Sequence, residues 1–406
     1  MLIPRQSYVE RIAPFIGKPF IKVITGIRRS GKSSLLTLMG EELQERGAAP
    51  ERVLCLNFED LALADLTTAK ALHQRVEAWL PESGLAHLLL DEVQEVAEWE
   101  KAVNSLHARG VDIYLTGSNS RLLSSELATH IAGRYVATDV WPLSFGEFGD
   151  FRRQVSDWAA LSPAQQFDEY LRRGGFPGPA ALDLTATQTA TAVRDIYASA
   201  LLRDTIERHR IRRPDLLRRI AAFALDNIGN PFSASAVTRF LKSEQRAADP
   251  ETIHTYLTAL QESFLLARVQ PLDLRGKAIL RTGEKYYAAD HSLPNTLLGA
   301  SPTRLPGLLE NIVWAELRRR GYDVHVGRSG DKEIDFVADR QGSRLYVQVA
   351  YLVSRSPQTW EREAAPLLAL PDNHPKYVVS LDPHAGSSDR GIIHASLPEW
   401  LLSDDF

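Results

Sequence analysis

The sequence predicts an α/β chain: a parallel sheet carrying a glycine-rich phosphate loop, a helical lid, a winged-helix module and a small C-terminal α/β domain. Three observations predict it. The β-branched run Ile21-Lys-Val-Ile-Thr25 leads directly into Gly26-Ile-Arg-Arg-Ser-Gly31-Lys32-Ser33, and Ser34-Leu-Leu36 then opens a helix. From about residue 20 to 140, short apolar runs alternate with helical patterns, the signature of a parallel sheet. Beyond residue 200, three helical stretches are followed by two strand-like runs.

Bulk properties bound the reading. The 406 residues suffice for several domains, and 44% hydrophobic content can fill their cores. A net charge of −4 gives no global basic field, so any nucleic-acid contact must be local. Cys55 is the single cysteine, so no disulfide forms within the chain; its apolar run predicts a small core residue. Neither a signal-like start nor a membrane-length apolar run occurs, which leads us to expect a cytoplasmic protein without a membrane partner.

In the first segment we expect strands at 21–25, 53–58, 87–91, 113–116 and 134–140, with helices at 35–46, 69–80 and 98–109 between them. The loop residues Gly26, Ile27, Arg28, Arg29, Ser30, Gly31, Lys32, Ser33 and Ser34 form a phosphate cradle of backbone N–H groups at a positive helix end. Lys32 reaches the β- and γ-phosphates, and the Ser33 hydroxyl ligates Mg²⁺. His87-Leu-Leu-Leu-Asp91-Glu92 ends an apolar strand in two acids: Asp91 holds the metal, and Glu92 activates the attacking water. The next strand ends in Thr116-Gly-Ser118-Asn119, where Ser118 or Asn119 would bond the γ-phosphate or the water. Arg134 either reaches a neighbouring subunit's nucleotide or is a salt-bridged strand residue.

The segment 144–200 is helical and broken by Gly174-Gly-Phe-Pro-Gly178. Residues 201–220 carry seven arginines against three acids, a local charge of +4 that suits DNA or a solvated face. Helices at 215–230, 233–243 and 249–264, then strands at 265–270 and 278–287, make a winged helix. Its third helix offers Thr252, His254 and Thr255 to a groove, and its wing tip offers Arg275 and Lys277 to phosphates. The scarcity of basic residues on that helix favours sequence-independent backbone contact. The last segment has a helix at 309–319 and strands at 324–326, 333–338, 345–350 and 376–380.

With these pieces in place, the chain resembles the AAA+ ATPases, specifically the group with an AAA_14-type module and a C-terminal DUF4143 domain. The resemblance rests on Gly26–Ser33, Leu88-Leu-Leu-Asp-Glu-Val-Gln94, Leu115-Thr-Gly-Ser118, Ala132-Gly-Arg134, Pro142-Leu-Ser-Phe-Gly-Glu147, Gly174-Gly-Phe-Pro177, Glu284–Asp290, Leu309-Glu-Asn311 and Glu333-Ile-Asp-Phe336. It implies ATP and Mg²⁺ at Lys32, Ser33, Asp91 and Glu92, a sensor at Ser118 or Asn119, an arginine finger at Arg134 and a homo-oligomeric ring such as a hexamer. The expected boundaries are an ATPase core at 1–143, a lid at 144–200, a winged helix at 201–290 and a nuclease-like domain at 291–406. That last domain resembles a PD-(D/E)xK core with Glu310 and Asp335 in place. Gln348 stands for an acid and Ala350 for the lysine, so it reads as degenerate. Three functions follow as expectations: a DNA-remodelling motor, a nucleotide-driven assembly switch and an ATP-licensed nuclease. The first is preferred.

Overall fold

The computed structural model describes residues 2–118, 133–276, 278–280, 282–354, 356–383, 386 and 388–403. They divide into two compact units, residues 1–141 with 262–264, and residues 142–261 with 265–406.

The first unit is a parallel sheet of β1 (Ile21–Thr25), β2 (Val53–Asn57), β3 (His87–Asp91), β4 (Asp112–Gly117) and β5 (Tyr135–Asp139), in the order β2-β3-β4-β1-β5. Leu88, Leu89 and Leu90 are all buried because successive strand residues face opposite sides, and both sides are covered. Helices α3 (Ala69–Glu77) and α4 (Trp99–Ala108) send Leu72, Val76, Val103 and Leu106 onto Leu88, Leu90, Ile113 and Leu115. On the other side, α1 (Gln6–Ile12) and α2 (Lys32–Glu45) pack Tyr8, Val9, Leu35 and Met39 against Ile24, Leu89 and Tyr114. Cys55 departs from expectation. Strand β2 is the sheet edge, Leu56 takes the inward position, and Cys55 is exposed.

In this order β4 lies between β1 and β3, so the phosphate loop and the acids ending β3 flank one strand end. Ligands of open parallel sheets collect at such carboxyl ends, where the strand order reverses.

The second unit begins with helices Phe145–Arg153, Pro163–Arg173 and Ala186–Ser199; capping boxes at Ser144/Glu147, Ser162/Gln165 and Thr185/Gln188 start them. A π-helix, Ala200–Glu207, continues the third. The conspicuous motifs converge here. Leu143 donates its N–H to the Gly175 carbonyl, Gly175 donates to Asp290 Oδ2 (both 2.6 Å), and Arg319 donates to the Pro142 carbonyl at 2.9 Å. A Cβ on Gly175 would stand 2.6 Å from the Leu143 carbonyl oxygen, so only glycine fits.

Helices Pro214–Asp226, Ala234–Ser243 and Pro250–Glu262 follow, close to their expected positions. The expected simple hairpin is different. Strands β6 (Leu266–Val269) and β9 (Lys285–Ala288) pair antiparallel, but the chain between them forms β7 (Pro271–Asp273) and β8 (Ala278–Ile279). Strand β7 adds in parallel to β10 (Asp323–Ser329), which satisfies backbone groups that a free wing would leave to water. The resulting sheet runs β14-β15-β13-β12-β11-β10-β7-β8, with β11 (Lys332–Arg340), β12 (Ser343–Val349), β13 (Lys376–Ser380), β14 (Ser388–Asp389) and β15 (Ile392–Ser396). The last two strands were not expected. No described helix is long and apolar enough to cross a membrane.

Candidate functional site

The loop after β1 adopts a backbone that few sequences allow. Gly26 has φ +144°, and a Cβ there would lie 2.2 Å from the Val140 carbonyl oxygen. Arg29 and Gly31 also have positive φ, at 67° and 98°, which curls the chain before α2 starts at Lys32. Lys32 is buried; its Nζ donates to the Ile27 carbonyl at 3.2 Å and lies 3.9 Å from Glu92 Oε1. Ser30 is fully buried, and its hydroxyl has no partner among the described residues. Positive φ values, an ammonium over the loop, a helix N-terminus and an orphaned hydroxyl together fit a polyphosphate.

Asp91 and Glu92 end β3 as expected, and both are buried. Continued extension would turn them to opposite faces. Instead Glu92 enters the left-handed region (φ 54°, ψ 47°). Thr116, fully buried on β4, ties the two together: its hydroxyl donates to Asp91 Oδ1 and accepts the Glu92 N–H at 2.9 Å. Burial pushes the Asp91 carboxyl above its ordinary value, and hydrogen bonds from Thr116 and Ser33 pull it back toward the charged form. Glu92 Oε2 accepts from Gln94 Nε2. Ser33 and Asp91 offer hard oxygen donors side by side, a donor set that suits Mg²⁺. Arg28 is spent on an ion pair with Glu59 at 3.3 Å.

Ser118 is buried just beyond β4, while Asn119 lies outside the described residues. Thr116, which bonds the Asp91 carboxylate and the Glu92 backbone, was missed in the sequence. Arg134 precedes β5 and is exposed; its carbonyl accepts the Ile21 N–H, so it sits at the amino ends of the strands. That is roughly 16 Å from the phosphate loop, at about 3.3 Å per strand residue.

The proposed DNA contacts are scattered. Thr252 is half-buried and donates its N–H and its hydroxyl to Asp249, which caps the helix, whereas His254 and Thr255 are exposed beside it. Arg275 is exposed, but its turn belongs to the β7–β8 extension, and its guanidinium lies close to Gly330 between β10 and β11. Lys277 lies outside the described residues. In the basic stretch, Arg219 pairs with Glu244 at 3.2 Å and Arg213 donates to the Ala247 carbonyl, so part of that charge holds the helices together.

In the C-terminal sheet, Glu310 and Asp335 do approach one another, but a cation stands between them. Lys285 Nζ lies 3.0 Å from Glu310 Oε2, 2.8 Å from Glu333 Oε1 and 3.5 Å from Asp335 Oδ1. Burial opposes charge on Lys285, yet these carboxylates outweigh it and hold the ammonium above the ordinary lysine range. Burial and Asp335 push Glu310 up to about 8, against the pull of Lys285 and the Tyr287 hydroxyl. Gln348 accepts the Asp335 N–H through Oε1 at 3.3 Å and donates to Glu363 at 3.1 Å. An ammonium filling the cage does not fit a divalent metal, and no group of three or more metal-ligating side chains occurs among the described residues.

Comparison with known proteins agrees with the first unit. An uncharacterised Haemophilus influenzae protein is 36% identical over 403 residues, spanning 99% of both chains. The AAA domain family profile matches residues 18–149. The chain belongs to the AAA domain family. A second profile, a domain of unknown function numbered DUF8612, matches residues 164–304 of this AAA-domain protein. Its number differs from the DUF4143 of the resemblance, while the order of an AAA domain and then a domain of unknown function is the same. An uncharacterised Methanocaldococcus jannaschii protein is 28% identical over 358 residues, covering 85% of this chain and 77% of that one. A Walker-type ATPase of Pyrococcus abyssi superposes with a TM-score of 0.50 at 16% identity, covering 73% of this chain and 95% of that one, which identifies the fold.

Proposed function

We propose that this AAA-domain protein hydrolyses ATP and uses the cycle to remodel DNA. The observation that carries the ATPase reading is the meeting of Lys32, Asp91 and Glu92 at one strand end, with Thr116 bonded to the Asp91 carboxylate and the Glu92 N–H. Backbone N–H groups of residues 26–34 cradle the phosphates, and Lys32 neutralises charge on the β- and γ-phosphates. Ser33 and Asp91 would hold a Mg²⁺ ion, which when bound would supply further positive charge against the triphosphate. Glu92 accepts a proton from the attacking water, yielding ADP and phosphate. Arg134, exposed and far from its own loop, suits action on a neighbouring copy's nucleotide within a homo-oligomer.

For the DNA part, support comes from the three helices with the β6–β9 pair, which fit a winged helix, and from the exposed Arg203, Arg210, Arg212 and Arg218. These groups suit phosphate contact without base readout. Retained nuclease action finds no support, since Lys285 occupies the acidic cage. The test is phosphate release with single-stranded, duplex and branched DNA at low salt. The motor reading expects DNA to raise turnover several-fold. Unchanged turnover with no measurable binding contradicts it, and ATP-driven assembly without DNA would favour the switch.

A further inference from the structure

Arg5 lies outside every motif, yet its guanidinium is only 3% exposed. One nitrogen donates to the Ser30 carbonyl inside the phosphate loop and the other to the Trp141 carbonyl, both at 2.9 Å. The guanidinium also lies 4.5 Å from the centre of the Tyr8 ring. Tyr8 itself accepts the Trp141 N–H at 3.1 Å, and Tyr8, Val9 and Ile12 of α1 share a core with Leu35, Leu36 and Met39 of α2. The segment before β1 is therefore anchored on the very helix that the loop opens.

The bond to Ser30 has a chemical consequence. In a planar trans peptide the carbonyl and the following N–H point in opposite directions. Drawing the Ser30 oxygen outward onto Arg5 turns the Gly31 N–H inward, toward the cradle. Gly31, at φ +98°, is free to rotate about its own backbone and would not hold that orientation unaided. A peptide flipped the other way would present an oxygen to the phosphates, exchanging an attraction for a repulsion. The two-pronged guanidinium matches two carbonyls at once, which a lysine ammonium on a flexible stem does not.

We propose that Arg5 is a positioning residue for nucleotide binding, fixing the Ser30–Gly31 peptide so that its N–H meets the phosphates. The proposal rests on the reading that residues 26–34 bind a triphosphate. It acts on binding of the phosphates in ground and transition states alike, so it changes affinity rather than the rate at saturation.

The experiment is calorimetric titration of the intact protein with Mg·ATPγS and with Mg·pyrophosphate, alongside steady-state turnover. The variants are Arg5→Ala, Arg5→Lys and Tyr8→Phe, the last removing the strap's other bond to residue 141 while leaving Ser30 tied. We expect Arg5→Ala to weaken both ligands about tenfold, the scale of one charge-assisted hydrogen bond to phosphate, with kcat at saturation within about twofold of wild type. Arg5→Lys should recover part of the affinity, and Tyr8→Phe should bind as wild type even where its melting temperature falls. Should Arg5→Ala fail to fold, the contrast between Arg5→Lys and Tyr8→Phe decides: equal affinity losses in those two overturn the proposal. Wild-type affinity in Arg5→Ala overturns it while leaving the triphosphate site intact. No binding to wild type overturns the site and Arg5's role together.

Discussion

Thr116 bonds the acid that would carry the metal and favours its charged form. Its hydroxyl stabilises the Asp91 carboxylate against burial, so Thr116→Val should raise the Asp91 pKa further. More of the enzyme is then protonated at a given acidic pH. The acid limb of the kcat/KM profile should therefore move to higher pH, with activity near pH 8 less affected. A profile measured from pH 5 to 9 checks this. Gly26→Ala should abolish nucleotide binding, because its Cβ meets the Val140 carbonyl oxygen at 2.2 Å; nucleotide-induced thermal stabilisation reads that out. That Lys32, Ser33, Asp91 and Glu92 lie together was legible in the sequence, because the glycine-rich loop and the acid pair each directly follow a strand. Thr116 and Arg5 were not. Thr116 acts on a residue 25 positions away, and Arg5 reaches partners 25 and 136 positions away, so no local pattern marks them.

At the level of elements, the Lys285 cluster joins β9, β11 and the helix Leu305–Arg319 through one ammonium. Lys285→Ala removes the one cation from among three buried or half-buried acidic side chains, and we expect a loss of about 3–5 kcal/mol, measured by denaturant unfolding. Glu310 adds a pH dependence. Its folded value of about 8 lies above the ordinary 4.5, so the folded state keeps a proton that the unfolded chain has lost. Stability should fall as pH rises from about 4.5 to about 8, and Glu310→Gln should flatten that slope in thermal melts. The parallel strands of the first unit were readable because apolar runs buried on both faces are distinctive. Strand β7 was not, since the partner that makes it a strand, β10, lies more than 50 residues further along. Cys55 misled for a related reason: an apolar run does not reveal that its strand ends up at the sheet edge.

For the whole molecule, the sheet order β2-β3-β4-β1-β5 gathers the phosphate loop and the two acids at one end and leaves Arg134 at the other. Under the proposed function, an arginine so placed would serve turnover through another copy. Arg134→Ala should lower ATPase at least tenfold at concentrations where wild type assembles, while leaving ATP affinity nearly unchanged; particle mass with ATP, measured in parallel, separates lost assembly from lost chemistry. The proposed role of Glu92 is to drive cleavage of a triphosphate held by the loop ahead of α2. Its most direct test is ATP binding and phosphate release by Glu92→Gln beside wild type. Glu92→Gln should keep wild-type ATP affinity with turnover reduced about a hundredfold or more. A Glu92→Gln protein that releases phosphate at the wild-type rate contradicts it.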